Sequence, residues 1–180
     1  MNWHEYYINL LDPIAAKSKD PNTKVGCIVV GPDNEIRATG YNSFPRGIND
    51  SIPARLERPE KYLWIEHAER NAIYNAARTG AALKDCRLYV SLIPCMDCAR
   101  GIVQAGITEV IYDFEKQLAY KGGATWLESK KRVSTLLCEA RVTIHGWKKS
   151  ERNLKYPSEF VDPWLANLAL VVAPSDQSAQ

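Results

Sequence analysis

His67-Ala68-Glu69 and, further along, Pro94-Cys95-Met96-Asp97-Cys98 are the residues whose types and spacing could do chemistry. One imidazole and two thiolates can hold a Zn2+ ion and leave its fourth position open to water. Such an ion lowers the pKa of its water from about 15.7 to about 7, so hydroxide is at hand near neutral pH. Glu69 stands two residues from His67, close enough to carry protons for that water without ligating the metal. The combination suits hydroxide attack on an amidine-like ring carbon, with the carboxylate shuttling protons until ammonia leaves. A bare Cys-x-x-Cys would be a weaker signal, readable as redox or structural. Glu in a first helical turn is, alone, an ordinary partner for the helix dipole. The joint pattern favours hydrolysis. A zinc-stabilised binding module without catalysis is the alternative from another class, and the intact Glu69 weighs against it.

These side chains need helix starts to hold them. Glu66 to Thr79 reads as a helix ended by Gly80, and Cys95 to Ala105 as another ended by Gly106. Both helix N-termini then point at one place, where free N–H groups and the positive dipole end favour thiolates. Before them, Trp3, Tyr6, Tyr7, Leu10, Leu11 and Ile14 recur at helical spacing, and Pro13 should kink or restart that helix with Asp12 as its cap. Val25 to Val30 and Glu35 to Tyr41 are strands about a Gly31-Pro32-Asp33-Asn34 turn, an antiparallel hairpin. Residues 42 to 65 form a long polar connection with Pro45, Pro53 and Pro59, and a loop of that length in a compact domain is usually functional. Arg87 to Leu92, Glu109 to Tyr112 and Arg141 to His145 are further strands. Phe114 to Gly123 reads as a loop. Thr125-Trp126-Leu127-Glu128 is a capping box opening a helix to about Ala140, and Asp162-Pro163 caps a last helix. The alternation implies an α/β fold, a three-layer α/β/α sandwich around a five-stranded mixed sheet, with parallel pairing after the hairpin. Residues 1–172 form a single domain on this reading, and 173–180 a disordered tail.

The 180 residues carry 23 Lys plus Arg against 21 Asp plus Glu, a net charge of +2. That balance, with no Lys/Arg run, gives no electrostatic case for nucleic acid. The longest apolar run, near Leu165 to Ala173, is about half of a membrane span. Of the five cysteines, Cys27, Cys86 and Cys138 sit in apolar runs as small buried hydrophobes. A second zinc using His4 or His145 lacks a short ligand pair. Unbridged thiols and an N-terminus without an apolar leader point to a cytoplasmic protein.

The stretch His67 to Ile73 with Pro94 to Arg100 resembles the cytidine and deoxycytidylate deaminase superfamily. Ser18-Lys19-Asp20-Pro21-Asn22-Thr23-Lys24-Val25-Gly26 and Gly40-Tyr41-Asn42-Ser43-Phe44-Pro45-Arg46-Gly47 narrow the likeness to its deoxycytidylate branch, over roughly residues 3 to 147. The resemblance implies zinc on His67, Cys95 and Cys98, with Glu69 as the catalytic acid–base. It implies hydrolysis of dCMP, or a 5-substituted dCMP, to dUMP and ammonia, supplying dUMP for thymidylate synthesis. Cytidine, deoxycytidine, dCTP, a free base, a riboflavin precursor or a base in nucleic acid are the alternative substrates. Asn42 would bond the sugar. Ser18, Asp20, Thr23 and their neighbours would offer donors to a phosphate, with Lys19, Lys24 and Arg46 as its cations. Val25, Gly26 and Cys27 would lie against the base, Gly26 by close approach, and Tyr120 would close over it. A homo-oligomer, dimer or hexamer, comes with the family. So, in regulated members, does control by dCTP and dTTP, with Mg2+ on the triphosphate effector. Ser43 replaces a glycine there, and Ser fits positive-φ backbone poorly, which counts against regulation in this chain.

Overall fold

A computed structural model describes residues 1–120 and 124–155, with the side chains of 124–128 outside the description. The chain runs α1 (Trp3–Ala15), β1 (Gly26–Val30), β2 (Ile36–Tyr41), a 3-10 turn at Pro53–Leu56, α2 (Lys61–Trp64), α3 (Ala68–Thr79), β3 (Arg87–Val90), α4 (Met96–Gln104), β4 (Glu109–Asp113), α5 (Phe114–Ala119), α6 (Ala124–Glu139), β5 (Thr143–Lys148) and β6 (Asn153–Lys155). The strands make a six-stranded sheet in the order β2-β1-β3-β4-β5-β6. β1 pairs antiparallel with both β2 and β3, β4 pairs parallel with β3 and β5, and β6 returns antiparallel on β5. The hairpin and the parallel pairs follow the sequence expectation.

Alternation along β1 divides the core into two layers. Cys27 and Val29 join Ala72 and Ala76 of α3, Ile102 of α4 and Val133 and Leu137 of α6. Ile28 and Val30 face the other way, onto Tyr7, Ile8 and Leu11 of α1. This is the three-layer α/β/α sandwich. Cys27 and Cys86 are buried as expected, while Cys138 is half-buried.

Several boundaries differ from the sequence reading. The sheet has six strands, not five. β6 spans three residues at an edge, too short for a period-2 pattern to register. Phe114 to Ala119 is helix α5, not loop, capped by Asp113, whose carboxylate accepts the Lys116 N–H at 3.0 Å. Helix α1 runs through Pro13, and its cap is Asn2, which accepts from the Glu5 N–H at 2.9 Å. Pro13 is exposed and lies two residues from the helix end, so the missing hydrogen bond faces water. The capping-box side chains before Ser129, the expected last helix from Asp162 and the tail from Ala173 lie outside the described residues.

Two glycines set the layers' spacing. A Cβ on Gly26 would stand 2.4 Å from the Leu11 carbonyl oxygen, so α1 presses on β1 there. The close approach that Gly26 permits here is to α1. A Cβ on Gly40 would stand 2.2 Å from the Ala68 carbonyl oxygen and 2.5 Å from the Ala72 nitrogen. Gly40 therefore lets the first turn of α3, which carries His67 and Glu69, sit directly on β2. Gly40→Ala is expected to destabilise the fold by about 1–3 kcal/mol, read as a lower urea midpoint. An unchanged midpoint would show that α3 can back away freely.

Candidate active site

His67 is the N-cap of α3 and Cys95 the N-cap of α4, both with extended backbone. A usual cap would spend its side chain on the first-turn N–H groups. Here the capping side chains turn toward one another. Cys95 Sγ lies 3.4 Å and Cys98 Sγ 3.5 Å from His67 Nδ1. A tetrahedral zinc with bonds of about 2.0 Å to nitrogen and about 2.3 Å to sulfur sets N–S edges of about 3.5 Å. The three ligand atoms lie within 4.8 Å of one another and fit that ion. Among the described residues this is the one such cluster, and His4 instead contacts Tyr89 Oη at 3.1 Å and stacks on Trp147.

The electrostatics agree with a cation site. A hydrogen bond from Cys98 pulls the Cys95 thiol down to about 3 against burial, helped by His67. The same shared hydrogen, with burial, pushes Cys98 up. Cation binding would draw off the proton that the two thiols share. The bond with Cys95 raises His67 against its burial. Glu69, 4% exposed, is raised by burial, with His67 pulling the other way. A carboxyl so placed exchanges its proton nearer neutral pH than a surface Glu does.

A cleft of about 330 Å³ opens above His67, Glu69 and Cys95. Asp20, Thr23 and Val25 line it from the α1–β1 loop, Asn42 from the end of β2, and Tyr120 from the end of α5. Asn42 Oδ1 accepts the Val25 N–H at 2.8 Å and its Nδ2 donates to the Thr23 carbonyl at 2.9 Å, so this side chain stitches the loop into shape. Cys98 sits behind the wall, fully buried.

Other expected contacts fall elsewhere. Ser18 is buried and accepts the Asp20 N–H, a turn role. Lys19 pairs with Asp50 at 2.8 Å, Arg46 bonds Asn75, and neither they nor Lys24 line the cleft. The Cys27 side chain is wholly buried in the core, while Val25 lines the cleft. Ser43 is not at positive φ; it bridges Glu66 through two backbone bonds, 3.0 and 2.8 Å. The backbone objection to serine at that position therefore does not hold for this chain.

Sequence reasoning missed the walls from the long connection: Arg58, Lys61, Tyr62 and Ile65. Lys61 Nζ reaches both carboxylate oxygens of Asp20, at 3.1 and 2.8 Å, with each side chain 6% exposed. It also missed Gln117, whose Oε1 accepts the Ile93 N–H at 2.9 Å and fixes the turn before Cys95. No periodicity marks the connection, but its length did flag it.

A mixed six-stranded α/β sandwich with a His-Cys-Cys cluster and a buried Glu at two helix starts defines a zinc-type hydrolytic deaminase architecture. The sequence model described as "Cytidine and deoxycytidylate deaminase zinc-binding region" matches residues 1–114, and the chain belongs to that family. Deoxycytidylate deaminase of Homo sapiens is 40% identical over 121 residues, 64% of this chain and 67% of that protein. A probable deoxycytidylate deaminase of Drosophila melanogaster is 36% identical over 146 residues, 76% of this chain and 70% of that one. The crystal structure of dCMP deaminase from cyanophage S-TIM5 in complex with dCMP and dUMP superposes with a TM-score of 0.62 at 25% identity, over 79% of this chain and 94% of that one.

Proposed function

We propose that this chain catalyses zinc-dependent hydrolysis of dCMP, with water, to dUMP and ammonia. The observation that carries the reading is the convergence of His67, Cys95 and Cys98 on one point at the floor of a cleft, with the buried Glu69 beside them. His67 Nδ1, Cys95 Sγ and Cys98 Sγ would hold the ion. When bound, zinc supplies a water acidic enough to serve as nucleophile near neutral pH. Glu69 takes one proton from the attacking water and gives it to ring N3, then takes the proton of the new C4 hydroxyl and gives it to the leaving amine, so that the C4–N bond breaks, ammonia departs and the C4 carbonyl forms. Ala68, Ile65 and Ile93 give the ring an apolar seat that excludes bulk water. Asn42, at the cleft wall, keeps one donor and one acceptor position for the sugar after its two loop bonds.

The named relatives and the nucleotide complex of the phage enzyme support dCMP as the substrate. Free thiols at all five cysteines suit a cytoplasmic setting, and no described helix is long and apolar enough to cross a membrane. A homo-oligomer fits the exposed Tyr74 and Leu118. The test is ammonia release by the zinc-loaded chain from dCMP, 5-methyl-dCMP, deoxycytidine, cytidine and dCTP. The expected result is turnover with dCMP well ahead. A zinc-replete protein that releases no ammonia from any of them overturns the reading.

A further inference from the structure

The cleft offers few positive charges to a phosphate. Among its described lining residues, apart from His67, the cations are Arg58 and Lys61. Lys61 is buried and its ammonium is matched to both oxygens of Asp20, so that pair is neutral as a unit. Four backbone donors of the loop before β1 are also engaged within the protein, which leaves the Thr23 hydroxyl at the cleft. The N–H groups of Asn22 and Thr23 go to Asp20 Oδ1, that of Asp20 to Ser18 Oγ, and that of Val25 to Asn42 Oδ1. Lys19 and Arg46 are tied to Asp50 and Asn75.

Arg58 is different on each count. It is exposed, it lines the cleft, and no carboxylate among the described residues pairs with it. Its guanidinium carbon stands 5.9 Å from the centre of the Tyr62 ring, a second lining residue. It lies three residues before Lys61, whose bond to Asp20 anchors this part of the connection against the α1–β1 loop. The guanidinium fork can meet two phosphate oxygens at once, which an ammonium cannot.

We propose that Arg58 is the residue by which this site selects a 5′-phosphorylated nucleoside, with the Thr23 hydroxyl as a second donor. The proposal rests on the dCMP reading and deepens it. It transfers phosphate recognition from the loop that precedes β1 to the connection that precedes α3.

The experiment compares zinc-loaded wild type, Arg58→Ala and Arg58→Lys in two measurements. The first is kcat/KM for dCMP against deoxycytidine. The second is Kd by calorimetry for dUMP against deoxyuridine, which needs no turnover. In Arg58→Ala both preferences for the phosphorylated member should fall about 100-fold, as for a lost charge-assisted bidentate contact. The kinetic change should lie mainly in KM, and Arg58→Lys should recover part of it. A merely structural role would lower both members of each pair alike. Unchanged ratios in Arg58→Ala, or a wild type with no preference for the phosphorylated member, overturn the proposal. A wild type that releases no ammonia from dCMP overturns the functional reading instead, and the dUMP-to-deoxyuridine ratio still decides Arg58.

Discussion

Glu69→Gln should bind zinc as wild type does and turn over dCMP about 10²–10⁴-fold more slowly. The carboxyl is 4% exposed and is not one of the three ligands, though it shares a hydrogen bond with Cys98 that the Gln side chain oxygen can also accept, so its loss leaves the ligand set intact. Gln keeps the volume and shape of Glu, which spares the packing at the first turn of α3 against β2. What Gln lacks is a proton it can accept and return, and the proposed reaction asks for that service at the water, at N3 and at the leaving amine. Removing a buried carboxyl that burial already disfavours in its charged form should not weaken folding. The measurements are zinc per chain, urea midpoint and ammonia release on the same preparation. Turnover within threefold of wild type, with zinc bound, would remove Glu69 from the chemistry. Loss of zinc together with activity would instead make it a support of the ligands.

The chemical centre was legible because its parts are local. His67 and Glu69 are two residues apart, Cys95 and Cys98 three, and each pair opens a helix that amphipathic spacing and a terminal glycine announce. The strands that bring those two helix starts together also show in the pattern. The rim of the cleft was not legible, because it depends on side-chain choices between distant segments. Lys19, Lys24 and Arg46 stand beside telling motifs in sequence, yet Lys19 pairs with Asp50, Arg46 bonds the neutral Asn75, and none of the three lines the cleft. Lys61 sits in a connection without periodicity and finds Asp20 from 41 positions away. Gln117 is hidden because α5 is six residues long and its one sequence cue is Asp113 as a cap in a polar stretch. Ser43 shows the reverse case: its backbone is not at positive φ and so does not call for glycine.

That distant pair carries the other large effect. Lys61→Met should destabilise the chain by about 3–5 kcal/mol, because it leaves the Asp20 carboxylate buried without its cation. Asp20 is now held below the ordinary carboxylate range: burial pushes it up, but Lys61 and the Asn22 and Thr23 N–H groups outweigh burial. A carboxyl depressed in this way stabilises the fold above its unfolded value of about 3.9 and ceases to as pH falls through the lower folded value. Without Lys61, burial prevails and the folded value rises above the unfolded one, so the sign reverses. The variant then loses stability as pH climbs between those two values. Its deficit against wild type should be widest near neutral pH and narrow on acidification. Asp20→Asn added to Lys61→Met should restore much of the loss, since the amide oxygen can still accept from Asn22 and Thr23 and no charge remains buried. Urea midpoints of wild type, the single and the double variant at about pH 7 and about pH 5 check this. A pH-independent deficit that the double variant does not relieve would mean that the packing of the Lys61 stem, and not its charge, holds the connection to the loop and the cleft open between them.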